Sequence, residues 1–165
     1  SWMTGTTQKF YNCTIAGNYA STNGGGIRKP AGAFEFYSSI LATNTSGGTE
    51  KDWSGGSVRF YTNCLVGNNT GSPFPAGTPI NGSYIGTSAS PIDPFLLPPA
   101  DNGGPTRTCA IGNTNSTAMN HGANILGLLF DQRGDPFQRV RGKGCEIGAL
   151  EFGDRPSRGI VLNVR

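Results

Sequence analysis

The sequence predicts an all-β protein: a short parallel β-helix of about three coils, followed by an irregular Pro- and Gly-rich cap. Three observations lead there. The 165 residues favour tight turns over helices, with 26 Gly, 11 Pro, 16 Thr, 14 Asn and 13 Ser. Charged residues make up only 14%, against roughly 25% in an average soluble domain, which excludes a Glu- and Lys-rich helical bundle. A gapless repeat runs through the first half, and proline concentrates immediately after it.

The repeat aligns KFYNCTIAGN (Lys9 to Asn18), EFYSSILATN (Glu35 to Asn44) and RFYTNCLVGN (Arg59 to Asn68), at offsets of 26 and 24 residues. Its columns are Phe10, Phe36 and Phe60; Tyr11, Tyr37 and Tyr61; Ile15, Leu41 and Leu65; and Asn18, Asn44 and Asn68. A unit this short cannot enclose its own core, so copies must stack. Strands separated by Gly and Asn corners, stacked about 4.8 Å apart, place like residues in ladders. The Phe and Ile/Leu columns are then expected inside, and the Asn column at a corner, where asparagine tolerates left-handed backbone. The Tyr column either forms an exposed stripe able to stack on sugar rings or packs beneath a loop. A second alignment matches Asn12-Cys13 to Asn63-Cys64, shifting the third coil by one residue and breaking the Phe-Tyr columns.

Residues 1–72 are therefore read as coils, 73–153 as a cap region packed on them, and 154–165 as a tail. Prolines from Pro73 to Pro105 end the coils, because proline cannot donate to a sheet ladder. No stretch approaches 18 apolar residues, so no membrane span is predicted. The net charge of +3 is too slight and dispersed for a nucleic-acid footprint. Arg139, Arg141 and Lys143 read as a solvated turn beside Asp135 and Glu146.

Four cysteines, at 13, 64, 109 and 145, lack zinc-type spacing. Cys13 and Cys64 lie two coils apart, about 9.6 Å, beyond the roughly 7 Å that a disulfide spans between Cα atoms. Cys109 and Cys145, the two outside the coils, are the expected staple of the cap.

The second half carries Asp93-Pro94, Ala100 to Thr106 with Thr108 (ADNGGPT-x-T), Asp131 to Gly134 (DQRG) and Cys145 to Glu151 (CEIGALE). This succession resembles the C-terminal region of the choice-of-anchor Q family, bacterial surface and secreted proteins with right-handed parallel β-helix repeats. The resemblance implies that handedness, an extracellular or cell-surface location and a structural end-piece. The chain departs from the family pattern at Ser116 to Gly122, where Asn120 replaces an acid, and at Glu146, which stands where Asp is usual. Arg133, between acids, reads as an internal tie to Asp131, Glu146 or Glu151 that holds the cap closed.

Catalysis on such a scaffold needs clustered carboxylates or a calcium site. Glu35 is replaced by Lys9 and Arg59 in the adjacent coils, so no carboxylate ladder is expected, and Glu50-Lys51-Asp52-Trp53 reads as an exposed loop. His121, the only histidine, reads as structural. The expectation is a non-enzymatic extracellular structural protein without cofactor or metal. It would be a self-assembling subunit of a surface filament or layer, with adhesive or glycan-binding module as the alternative and glycan-active enzyme as a weaker one. Its expected partners are other copies of itself, and then a surface polysaccharide. The β-prone stretch Gly159 to Arg165 points to Ile160, Val161, Leu162 and Val164 as a strand donated head-to-tail to a neighbour; the alternative is that the tail folds back on its own coils and the open end belongs to a longer parent protein.

Overall fold

The structure is a computed structural model that describes residues 7–28, 32–75 and 77–153. Among the described residues there are twelve strands and no helix, and no helix long and apolar enough to cross a membrane. The first repeat supplies β1 (Thr7–Tyr11), β2 (Thr14–Ala16), β3 (Tyr19–Ala20) and β4 (Ile27–Arg28). The second supplies β5 (Ala33–Tyr37), β6 (Ile40–Ala42), β7 (Thr45–Ser46) and β8 (Trp53–Ser54). The chain continues with β9 (Ser57–Thr62), β10 (Leu65–Val66), β11 (Gly77–Ile80) and β12 (Ser83–Ile85).

Consecutive strands do not pair until β11 and β12, which are antiparallel. Every other pair is parallel and joins equivalent positions of successive repeats: β1–β5–β9, β2–β6–β10–β12, β3–β7 and β4–β8. The architecture is all-β with parallel strands in its sheets, compatible with a parallel β-helix. The β1 end is called the bottom here and the β11–β12 end the top.

The first two repeats pair as the columns require, Phe10 with Phe36 and Tyr11 with Tyr37. The third takes the other alignment. Phe34 pairs with Val58, but Glu35 then pairs with Phe60, Phe36 with Tyr61 and Tyr37 with Thr62, so Arg59 is the extra residue of a bulge. Phe60 is consequently turned out and is 46% exposed, a correction to its place in the interior ladder. The aliphatic column is likewise Ile15, Leu41 and Val66; Leu65 aligns with Ile40 and belongs to the other face of the sheet.

The corner between the first two sheets explains the choice. Asn12, Ser38, Asn63 and Asn81 have φ of +48°, +49°, +52° and +49°, and their amides link the rungs. Asn12 N donates to Tyr37 O (2.9 Å), Ser38 N to Thr62 O (3.0 Å) and Asn63 N to Asn81 O (3.0 Å). Left-handed backbone favours asparagine over most residues. Seating Asn63 at this corner moves every side chain before it by one position.

Two apolar clusters lie on opposite sides of the second sheet. Inside are Phe34, Phe36, Leu41, Trp53, Cys64, Val66, Phe74 and Ile85. Outside, Ile40, Ala42 and Leu65 meet Ile111, Ala118 and Ile147 of the second half. The C-terminal region thus covers the flank of the stack. Ile40, Leu65 and Ile147 are each fully buried there, worth about 1.5–3 kcal/mol apiece. Gly148 N donates to Ser38 O (2.9 Å), Ala123 N to Ser38 Oγ (2.8 Å) and Ala149 N to Thr14 Oγ1 (3.0 Å). Gly122 has to be glycine, since a Cβ there would collide with the Glu146 carbonyl. At the top, Phe74 plugs the interior edge-on to Phe36, Trp53 and Tyr61, at 5.8, 5.8 and 5.3 Å between ring centroids.

Candidate functional site

The bottom of the stack differs from its top. Phe10, Ile15 and Ile27 are only partly buried, whereas their register partners Phe36, Leu41 and Trp53 are buried. Phe10 lies flat on Phe36 (4.8 Å, 6°) and Tyr11 on Tyr37 (4.5 Å, 8°), so each bottom ring keeps one face without an aromatic partner among the described residues. A groove of about 580 Å³ runs along residues 10–15, walled opposite by Leu128, Phe130, Gln132 and Arg139. Beside it, residues 125–129 expose Ile125, Leu126, Leu128 and Leu129, the last to 77%.

Among the described residues no strand pairs with the lower edge of β1 or β2. Ile40 N donates down to Cys13 O (2.8 Å), Leu65 N to Ser39 O (3.0 Å) and Tyr84 N to Cys64 O (2.8 Å). Thr14, the register partner of Ile40, occupies the same position in the first repeat. By that geometry its N–H points out of the bottom edge. Free edge donors of this kind are templates for another strand.

On the outer face of the first sheet Lys9 and Glu35 are register partners. Lys9 pairs with Glu35 at 3.1 Å, and Tyr37 Oη donates to Glu35 Oε2 at 3.0 Å. Lys9, with help from Arg59, holds the Glu35 carboxyl below its ordinary range, while Glu35 pushes the Lys9 ammonium up. Next to this pair run Tyr11 and Tyr37, and Phe60, the register partner of Glu35, tilts 32° against Tyr37 at 5.3 Å. Mutual stacking covers the faces of the Tyr37 ring. A sugar approaching the stripe from the side meets ring edges and hydroxyls, a weaker platform than the sequence suggested.

The Asn column is a corner ladder, with one correction. Asn18 N and Nδ2 donate to Asn44 Oδ1 (3.1 and 3.0 Å). The next acceptor is Asp52, which takes Asn44 N (3.0 Å), Asn44 Nδ2 (2.8 Å) and Asn68 N (2.9 Å). Asn68 therefore offers its backbone to the ladder, and its side chain accepts from Thr70 N. Asp52 and Trp53 are buried, so this loop is not exposed as its composition suggested. Burial pushes the Asp52 carboxyl up, against the pull of its three donors.

In the flank cover, Arg133 grips Asp131 with Nη2 at 2.6 Å and Nε at 3.1 Å, bonds Glu151 O through Nη2 (3.0 Å) and lies over the Phe137 ring (3.9 Å). The expected tie is present, but to the Asp131 side chain and the Glu151 backbone. The Glu151 carboxyl belongs instead to Arg139 (Nη1, 3.3 Å), whose Nη2 also bonds Glu146 O (2.9 Å). Arg139 is 1% exposed, which corrects its reading as part of a solvated turn. The alternation Phe137 in, Gln138 out, Arg139 in was the available signal, masked by the charge of the segment. Arg139 Nε is buried without a partner. Burial and the adjoining Glu146 push the Glu151 carboxyl up to about 9, with Arg139 acting against them.

All four cysteines are free thiols, so the expected Cys109–Cys145 staple is not formed. Cys13 and Cys64 flank Ser39 in the corner column, Cys13 N donating to Ser39 Oγ (3.1 Å) and Leu65 N to Ser39 O. His121 rests against Tyr84 (5.0 Å between rings), its Nδ1 3.0 Å from Thr117 O. No group of three or more His, Cys, Asp or Glu able to hold a metal ion occurs among the described residues. The tail residues Ile160, Val161, Leu162 and Val164 lie outside the described residues. No family model, curated protein or solved structure matches the chain.

Proposed function

We propose that the chain is a short right-handed parallel β-helix with a structural role in a secreted or surface-exposed protein. In this reading the top of the stack is closed and the first coil receives a further β-rung. The asymmetry of the two ends carries it. Phe74 fills the interior at the top and the β11–β12 hairpin covers the second sheet there, while β9 remains an edge of the first; Phe10, Ile15 and Ile27 leave the bottom interior half open. Buried carboxyl groups with internal donors, at Asp52, Asp131 and Glu151, suit a scaffold more than a reactive site. The resemblance to the choice-of-anchor Q region supports the extracellular placement.

Self-assembly into a homopolymer is the second reading, favoured by the exposed apolar stretch 125–129 beside the open end. In a head-to-tail contact, however, the column of Lys9 and Glu35 would continue from Phe60 and bring no acid to Lys9. Hydrogen exchange joined to sedimentation velocity tests both. We expect β1 and β2 amides to exchange well before those of β6 and β10 in dilute protein. Equal protection of the two coils at a monomeric sedimentation coefficient refutes the open end. A concentration-dependent ladder of species supports the polymer.

A further inference from the structure

We infer that Asn81 is a site of spontaneous covalent modification: its side-chain amide is lost to attack by the Gly82 nitrogen, leaving an aspartyl or isoaspartyl residue at position 81. The sequence holds three Asn-Gly pairs, at Asn23, Asn81 and Asn102. Glycine has no side chain to shield its nitrogen, so in such a pair that nitrogen can reach the asparagine Cγ. The reaction requires the amide group and the following N–H to be free of other bonds. The fold engages both at two of the pairs. At Asn23, Oδ1 accepts from Glu50 N (3.4 Å), and buried Gly24 donates its N–H to Glu50 O (2.7 Å). At Asn102, Nδ2 donates to Thr108 O (2.8 Å) and Thr108 Oγ1 (3.0 Å), while Gly103 N donates to Asp101 Oδ1 (3.0 Å).

Asn81 and Gly82 form the exposed turn between β11 and β12. Among the described residues, the Asn81 side chain and the Gly82 N–H make no hydrogen bond; only Asn81 O is used, by Asn63 N (3.0 Å) and Thr62 Oγ1 (2.9 Å). The turn itself calls for this dipeptide. Its φ values are +49° at Asn81 and +69° at Gly82, the left-handed pair of a two-residue hairpin turn, which Asn-Gly adopts most readily. A Cβ on Gly82 would also press on the Asn63 amide. In the reaction Gly82 N gives its proton to hydroxide and bonds to Asn81 Cγ; the Cγ–Nδ2 bond breaks and ammonia leaves. Water then opens the cyclic imide. Entry at the side-chain carbonyl leaves aspartate, and entry at the main-chain carbonyl leaves isoaspartate, whose chain runs through an extra methylene. That main-chain carbonyl is the acceptor for Asn63 N and Thr62 Oγ1, so the isoaspartyl product loosens the upper end of the corner column.

Peptide mapping by mass spectrometry, after incubation of the full chain in mildly alkaline buffer with and without urea, reads each pair separately. In native protein position 81 should convert roughly tenfold or more faster than positions 23 and 102, where hydrogen bonds at both reacting groups must open first. In urea that protection is gone, and the three rates should converge to within about threefold. Asn81→Gly protein, which keeps a turn that takes positive φ, should lose the new acidic species that the parent shows on ion-exchange chromatography. Equal native rates at the three pairs overturn the inference, as does native protein inert at position 81 while urea permits conversion there. A preference for position 81 that persists undiminished in urea overturns it too, because neighbouring sequence and not the fold would then select the site. An acidic species formed as fast by Asn81→Gly protein places the modification elsewhere and has the same force.

Discussion

Truncating two phenylalanines separately, Phe36→Ala and Phe60→Ala, tests the register on which the interior rests. Phe36 is 2% exposed and touches four rings: Phe10 at 4.8 Å, Phe34 at 6.0 Å, Trp53 at 5.7 Å and Phe74 at 5.8 Å. Its removal leaves a cavity walled by aromatic groups that are held by strands and cannot collapse, so a loss of about 3–5 kcal/mol is expected. Phe60 meets one ring, Tyr37 at 5.3 Å, and is nearly half exposed. Its truncation should cost about 1 kcal/mol or less, since one surface aromatic pair is worth roughly that much. Urea denaturation followed by tryptophan fluorescence and far-ultraviolet circular dichroism reads both, with unchanged slope confirming a common unfolded state. Equal losses for the two variants would show that Phe60 is interior and that the bulge at Arg59 does not exist.

Three further outcomes follow from buried polar groups. Glu151 sits at about 9 in the fold, against an ordinary value of 4.5. The folded state therefore keeps a proton that the unfolded state releases. Stability should be highest at and below pH about 4.5, fall as pH rises towards 9 and then level out with respect to this group; Glu151→Gln should flatten that decline in pH-dependent melting, and an identical slope in the variant refutes the assignment. Asp52→Ala strands the Asn44 N, Asn44 Nδ2 and Asn68 N donors, for an expected loss of about 2–4 kcal/mol in urea; a loss under about 1 kcal/mol means water replaces the carboxylate. Thiol titration with an aromatic disulfide reagent should find four thiols in unfolded, non-reduced protein. In the native state Cys64, pushed up to about 11 by burial, should be the slowest; fewer than four thiols on unfolding reveals a disulfide.

Much of the architecture is legible before any coordinates. The Phe-Tyr and Asn columns mark a stacked repeat, and the pairing of Phe10 with Phe36 and of Asn18 with Asn44 follows from them. Asp131 and Arg133 are two residues apart and close a tie that local sequence already suggests. These features depend on alternation, turn chemistry and short-range partners, all written along one stretch of chain.

The remainder depends on groups that meet only across rungs. Two alignments of the third repeat differ by one residue, and both put aromatic and aliphatic residues in columns. What separates them is whether Asn63 reaches a left-handed corner whose amide must find Asn81 O on the next rung. Asp52 is a loop acid until Asn44 and Asn68 converge on it, and Arg139 is a surface cation until Glu151 lies beside it. The C-terminal region covers the flank because Ile40 and Leu65, on the outer face of the second sheet, present an apolar surface that Ile147 and Ala118 fill. In each case the sequence supplied the residue type, and tertiary packing decided its environment: desolvation and hydrogen bonding are properties of a neighbourhood, and the neighbours come from distant parts of the chain.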